Sequence, residues 1–187
     1  MARRTIPSVF CLEGDWRSDL RKRDSVRPIL DLMAQEDKVK YIHRDVGTVE
    51  ELEFYLRKWR QRAYQRYSIG YFAFHGEKGG IWIGRKQLSL VELADLMGSS
   101  CQGRIIYLGS CSTLGAGKRA MTRFLGLTKA RCVCGYTTDV DWYPSAAFEI
   151  LLFDAFTKFK RRDAMDRHLR KYTGLIRELG FKAYWRE

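Results

Sequence analysis

In GYFAFHGEKGGIWIG, Gly70 to Gly84, four apolar residues (Tyr71, Phe72, Ala73 and Phe74) run straight into a histidine and a glycine. An unbroken apolar run of this length reads as a strand buried on both faces, which requires helices above and below the sheet. Glycine at the end of a strand is ordinary, because it takes turn conformations without steric cost. A histidine in front of it is either a loop residue or a working imidazole.

Working outward, strand-like and helix-like segments alternate. SVFCL (8–12) reads as a first strand, and Val26 to Gln35 as a helix with Pro28 in its opening turn. VKYIH (39–43) reads as a second strand. Thr48 and Glu51 form a capping box for an amphipathic helix reaching about Tyr67, with Val49, Leu52, Leu56, Trp59 and Ala63 on its apolar side. IGYFAF is followed by a hairpin, IWIGRKQLS, and by a second capping box, Ser89 with Glu92, for a helix through about Met97. RIIYLGS (104–110) and RCVCGY (131–136) are the next strands, with a helix around Arg119 to Leu125 between them. Ser145 is expected to open an apolar helix to about Phe159. Met165, Leu169, Tyr172, Ile176 and Leu179 mark one face of a last helix that Gly180 stops, and FKAYW is a final edge strand. The expected fold is α/β, a three-layer sandwich with a mostly parallel sheet of about six strands, in a single domain over 1–187.

The chain has 187 residues, 45% hydrophobic, enough for one substantial core. No apolar run reaches membrane-span length and no signal peptide is evident, so a cytoplasmic protein without membrane contact is expected. Five cysteines, an odd number, fit reduced thiols better than a disulfide framework. The 34 basic and 22 acidic residues give a net charge of +12. Basic groups at 19–23 (DLRKR), 57–62 (RKWRQR) and 158–163 (KFKRRD) do not gather in one segment, so solvated outer faces are favoured over a nucleic-acid surface.

In parallel α/β sheets chemistry collects at the carboxyl ends of the strands. His75 ends the third strand and Cys111 the fourth, so neighbouring parallel strands would set a thiol and an imidazole on one rim, strands being roughly 4.8 Å apart. That pair can act as nucleophile and acid/base. Gly76 and the backbone N–H of Cys111 are the candidate oxyanion donors.

YFAFHG (71–76) and IIYLGSCSTLG (105–115) resemble the caspase-like cysteine peptidases, a group including caspases, metacaspases, separase and gingipains. The second stretch, with VCGYTTDVDWYPSAAFEILLFDAF (133–156), is similar above all to bacterial CHAT domains. The resemblance spans roughly Ile69 to Phe159. It implies a caspase-like fold and endopeptidase activity without cofactor, with His75 as general acid/base and Cys111 as nucleophile. It also implies a protein substrate and a separate activator or sensor, since such peptidases often serve defence or regulated cell death. Caspases and metacaspases carry Gln or Asp two positions before the cysteine; Gly109 stands there in this chain. Many other relatives cut after Arg or Lys, so Asp139, Asp141, Asp15 and Glu77, all expected at the active rim, are the candidate substrate-binding carboxylates.

Other motifs carry less. STLGAGKR (112–119) lacks the first Gly and the final Ser or Thr of a phosphate-binding loop. Cys132 and Cys134 have no partner pair at metal-ligand spacing, so no metal is expected. His43 shows no partner, and His168 is expected to face solvent. Trp142 and Tyr143 wall a substrate cleft or pack their loop onto the body. Two other classes stay open: a catalytically silent scaffold of the same fold, and a basic nucleic-acid-binding α/β domain.

Overall fold

The computed structural model describes residues 8–19, 21–22, 24–37 and 39–186; Leu20 and Arg23 of the first basic group, and the first seven residues of the expected domain, lie outside them. A mixed six-stranded sheet forms the centre, in the order β2 (Lys40–Asp45), β1 (Ser8–Glu13), β3 (Ile69–Ala73), β7 (Ile105–Leu108), β8 (Cys132–Tyr136), β9 (Phe181–Trp185). Every neighbouring pair is parallel except β8 with β9. The four inner strands are buried at every position, and the two edge strands carry the exposed polar residues. Full burial is what apolar residues on both faces demand, and the polar mix of VKYIHRD and FKAYW suits an edge.

Side-chain alternation sends one set of residues to each face. On one face Phe10, Leu12, Phe72, Leu108 and Val133 pack with helices α2 (Val49–Trp59), α3 (Leu90–Met97) and α4 (Lys118–Thr128). On the other, Val9, Cys11, Tyr71, Tyr107 and Cys134 pack with α1 (Arg27–Gln35), α5 (Trp142–Lys158) and α6 (Arg162–Leu169). A separate antiparallel sheet of β4 (Gly76–Glu77), β5 (Gly80–Ile83) and β6 (Lys86–Ser89) begins directly after His75 and sinks Ile81, Ile83 and Leu88 into the first core. The hairpin expected over IWIGRKQLS is thus joined by β4 into a second, three-stranded sheet beside the six-stranded one.

Both capping boxes form, Thr48 with Glu51 and Ser89 with Glu92. Several boundaries differ from expectation. Helix α2 stops at Trp59, because Trp59 Nε1 donates to the Tyr67 carbonyl (2.8 Å) and folds the chain back through a short 3-10 turn that leaves Ala63 exposed. Helix α5 starts at Trp142 rather than Ser145, whose hydroxyl bonds back to the Trp142 carbonyl inside the first turn. The last helix divides into α6 and α7 (Thr173–Glu178) around a 3-10 turn. Among the described residues no helix is long and apolar enough to cross a membrane.

Candidate functional site

Strands β3 and β7 are parallel neighbours with Phe72 opposite Leu108. His75 lies three residues beyond the first of these and Cys111 three beyond the second, so the two leave the sheet at one level. Both line a single cavity of about 290 Å³, together with Trp16, Gly109, Tyr136, Trp142 and Glu149. Cys111 is also the one cysteine that is not fully buried. Burial pushes the thiols of Cys11 and Cys134 up, and that of Cys101 to about 11, so these three stay protonated and inert.

The turn after the thiol is built tightly. Ser112 takes a left-handed conformation (φ 53°), unusual outside glycine. It is held there by two bonds to the loop after β8: Ser112 N–H donates to the Thr138 carbonyl (2.9 Å) and its hydroxyl to Asp139 Oδ1 (2.7 Å). The thiol of Cys111 points toward the Val140 carbonyl at 4.0 Å. Gly76 packs on the same turn so closely that a Cβ there would come within 2.5 Å of the Cys111 carbonyl oxygen. Trp82 N–H bonds the His75 carbonyl (2.8 Å), which makes Gly76 with Ile81 a non-hydrogen-bonded pair. The Gly76 N–H is thereby outside the hairpin ladder, and the N–H of Cys111 has no acceptor among the described residues.

His75 is oriented from the first strand. Its Nε2 lies 3.0 Å from the Trp16 carbonyl oxygen, a bond that requires Nε2 to carry the hydrogen and leaves Nδ1 as the free nitrogen of the neutral ring. The Trp16 ring meets His75 edge-on at 5.3 Å and Trp142 at 5.4 Å. Trp16 is fixed in turn by Glu13, which accepts from Trp16 Nε1 (2.5 Å), Ser25 Oγ (2.6 Å), Val26 N–H (2.8 Å) and His43 Nε2 (2.6 Å). Burial raises the Glu13 carboxyl, but these bonds, led by His43, outweigh it and hold the group below its ordinary value. His43 thus has a partner after all, on the neighbouring strand, where sequence order hides it. Ligand atoms of Glu13, His43 and Asp45 lie within 4.8 Å of one another. Four donors already occupy the Glu13 oxygens, so the cluster reads as a structural pin rather than a metal site.

None of the four expected substrate-binding acids lines the cavity itself. Asp139 is engaged by Ser112, and Glu77 bonds Trp82 Nε1 (3.0 Å) and the Gln87 amide. Asp15 and Asp141 are exposed, Asp141 at the N-cap of α5 without a capping bond. The carboxylates lining the cavity are Asp24, paired with Arg17 at 2.7 Å, and Glu149. Of the two aromatics, Trp142 lines the cavity while Tyr143 is 84% exposed. His168 is largely buried instead of facing solvent, because its ring packs against those of Phe159 and Tyr172. Sequence reasoning missed Glu13, Trp16 and Glu149. Trp16 had a signal, its place just past the first strand's carboxyl end, whereas Glu149 looked like one polar residue in an apolar helix.

No curated protein matches the chain. A family profile described as "Family of unknown function (DUF6642)" matches residues 7–185, and the chain belongs to that family.

Proposed function

We propose that this protein is a caspase-like cysteine endopeptidase that cleaves protein substrates after a basic residue, with Cys111 as nucleophile and His75 as general acid/base. The observation that carries the reading is the shared cavity of an oriented imidazole and the one accessible thiol, at the carboxyl ends of adjacent parallel strands. Nδ1 of His75 takes the Cys111 proton, and the thiolate attacks the scissile carbonyl to form a C–S bond. The N–H groups of Gly76 and Cys111 stabilise the oxyanion. As the tetrahedral intermediate collapses, the C–N bond breaks and the imidazolium gives its proton to the leaving amine. Water, deprotonated by His75, then attacks the thioester; the acid leaves and the thiol is restored.

The test is hydrolysis of fluorogenic peptides varied at the residue before the scissile bond. The wild-type protein is expected to turn over substrates with Arg or Lys there, and Cys111→Ala and His75→Ala to fall to background. Equal signals from wild type and Cys111→Ala would favour the silent scaffold.

One observation favours a second, compatible reading. Arg66, Arg131 and the run Lys158, Lys160 and Arg161, three separate segments of the chain, line one groove of about 670 Å³ beside Ile69 and Ile105, the first residues of β3 and β7. This basic groove lies at the rim opposite the cavity, and a nucleic-acid phosphate backbone fits its charge.

A further inference from the structure

We infer that Glu149 is the specificity-determining residue of the cavity, a buried carboxylate that receives the guanidinium or ammonium group of the substrate side chain preceding the scissile bond. This rests on the peptidase reading and replaces the exposed acids with one inside the cavity.

Glu149 is 4% exposed and sits mid-way along α5, yet it lines the cavity shared by His75 and Cys111. Its oxygens accept from the hydroxyls of Tyr71 (2.7 Å) and Tyr107 (2.8 Å), and Tyr107 is in turn 2.8 Å from the Tyr136 hydroxyl. These partners are neutral. The groups that bear on its ionisation are the surrounding burial, the two phenols and the distant Glu13, with no cation among them. A carboxylate buried without a countercharge is costly, and a Gln would satisfy the same phenols without that cost. Burial raises it to about 7, so an arriving cation both finds and stabilises the charged form. Asp24, the other acid of the lining, already has Arg17.

The approach to Glu149 is open because of Gly109. A Cβ at that position would lie 3.3 Å from Glu149 Oε1 and 2.6 Å from the Tyr71 ring, so any side chain would cover the carboxylate or displace its support. Gly109 itself lines the cavity two residues before the thiol. Trp16 and Trp142 supply aromatic walls along which an alkyl stem and its cationic head can lie. The volume, about 290 Å³, is at the small end of ligand pockets, which run from about 300 Å³ upward, and suits one long side chain.

The test separates this inference from the peptidase reading. Agmatine, a guanidinium on a four-carbon stem with no scissile bond, is titrated calorimetrically into Cys111→Ala protein and into the same protein carrying Glu149→Gln or Glu149→Asp, each checked for folding by circular dichroism. Binding is expected to Cys111→Ala, to weaken at least tenfold with Glu149→Gln, and to be partly kept by Glu149→Asp. Agmatine binding that is absent, or unchanged by Glu149→Gln, overturns the assignment even if the wild-type protein cleaves peptides. Glu149-dependent binding in a protein that cleaves no peptide leaves the cation site standing and removes the peptidase. In the active enzyme, Glu149→Gln abolishes the preference for Arg and Lys while Cys111 is still alkylated by iodoacetamide at the wild-type rate.

Discussion

Glu13 and Glu149 are both buried acids, 2% and 4% exposed, and their surroundings push them in opposite directions. Glu13 gathers four donors and ionises more readily than a free carboxyl; its stabilising effect is present above the unfolded value near 4.3 and is lost as pH falls through its lower folded value. Burial raises Glu149 from 4.5 to about 7; the bonds from the Tyr71 and Tyr107 phenols work against that rise, and the distant Glu13 adds a little to it. Between roughly pH 4.5 and pH 7 the unfolded chain has released this proton and the native chain keeps it, so native stability declines as pH rises through that window. A shift of this size corresponds to a few kcal/mol, on the order of 3 kcal/mol at most, by pH 8. Urea unfolding of wild type and Glu149→Gln at pH 5 and pH 8 is therefore expected to show the variant gaining about 2–3 kcal/mol on wild type across the interval. A constant difference at both pH values would mean that Glu149 is not held protonated and that its burial carries no pH-dependent cost to the fold.

At the scale of elements, what could be read from sequence is what local chemistry dictates. The capping boxes at Thr48 and Ser89 are complete in four residues, and both form with the reciprocal Glu bonds in place. The inner strands were legible from their apolar runs, and His75 and Cys111 from the strand ends that carry them. What was not legible depends on neighbours remote in sequence: the end of α2 is set by Trp59 reaching Tyr67, the ordering of His75 by a carbonyl 59 positions away, and the role of Asp139 by the hydroxyl of Ser112. The same distinction predicts how the elements respond to mutation. Ser89→Ala removes the side-chain oxygen that accepts from the Glu92 N–H at the junction of β6 and α3, and is expected to cost about 1 kcal/mol. Thr48→Ala does the same for α2, and because the two caps share no partner the double variant should lose close to the sum. Denaturant midpoints check this; peptide cleavage is expected to stay at the wild-type level, since neither cap lines the cavity.

For the whole molecule, the sheet separates two surfaces of opposite character. The carboxyl-end rim bears a cavity with aromatic walls and an acidic floor, while the amino-end rim bears a groove lined by five cationic side chains. The excess charge of +12 looked dispersed in sequence because the groove draws on the segments just before β3 and just before β8 and on the end of α5 with the residues that follow it. Lys158 and Arg161 are partly offset by Asp154 at 2.6 Å and Asp163 at 3.0 Å, but these are exposed pairs that hold little energy and exchange readily for phosphate. Neutralising one phosphate of a single strand contributes about 0.7 to the slope of log affinity against log salt. A fluorescent single-stranded oligonucleotide should therefore bind with a slope between about −2, for the three cations without such pairs, and about −3.5, for all five. Arg66→Glu with Lys160→Glu is expected to weaken binding and flatten the slope by at least about 1.4, while Cys111→Ala leaves both unchanged. Oligonucleotide affinity that ignores the double substitution would place any nucleic-acid contact away from this groove, and affinity for acidic peptides alone would assign the groove to a protein partner instead.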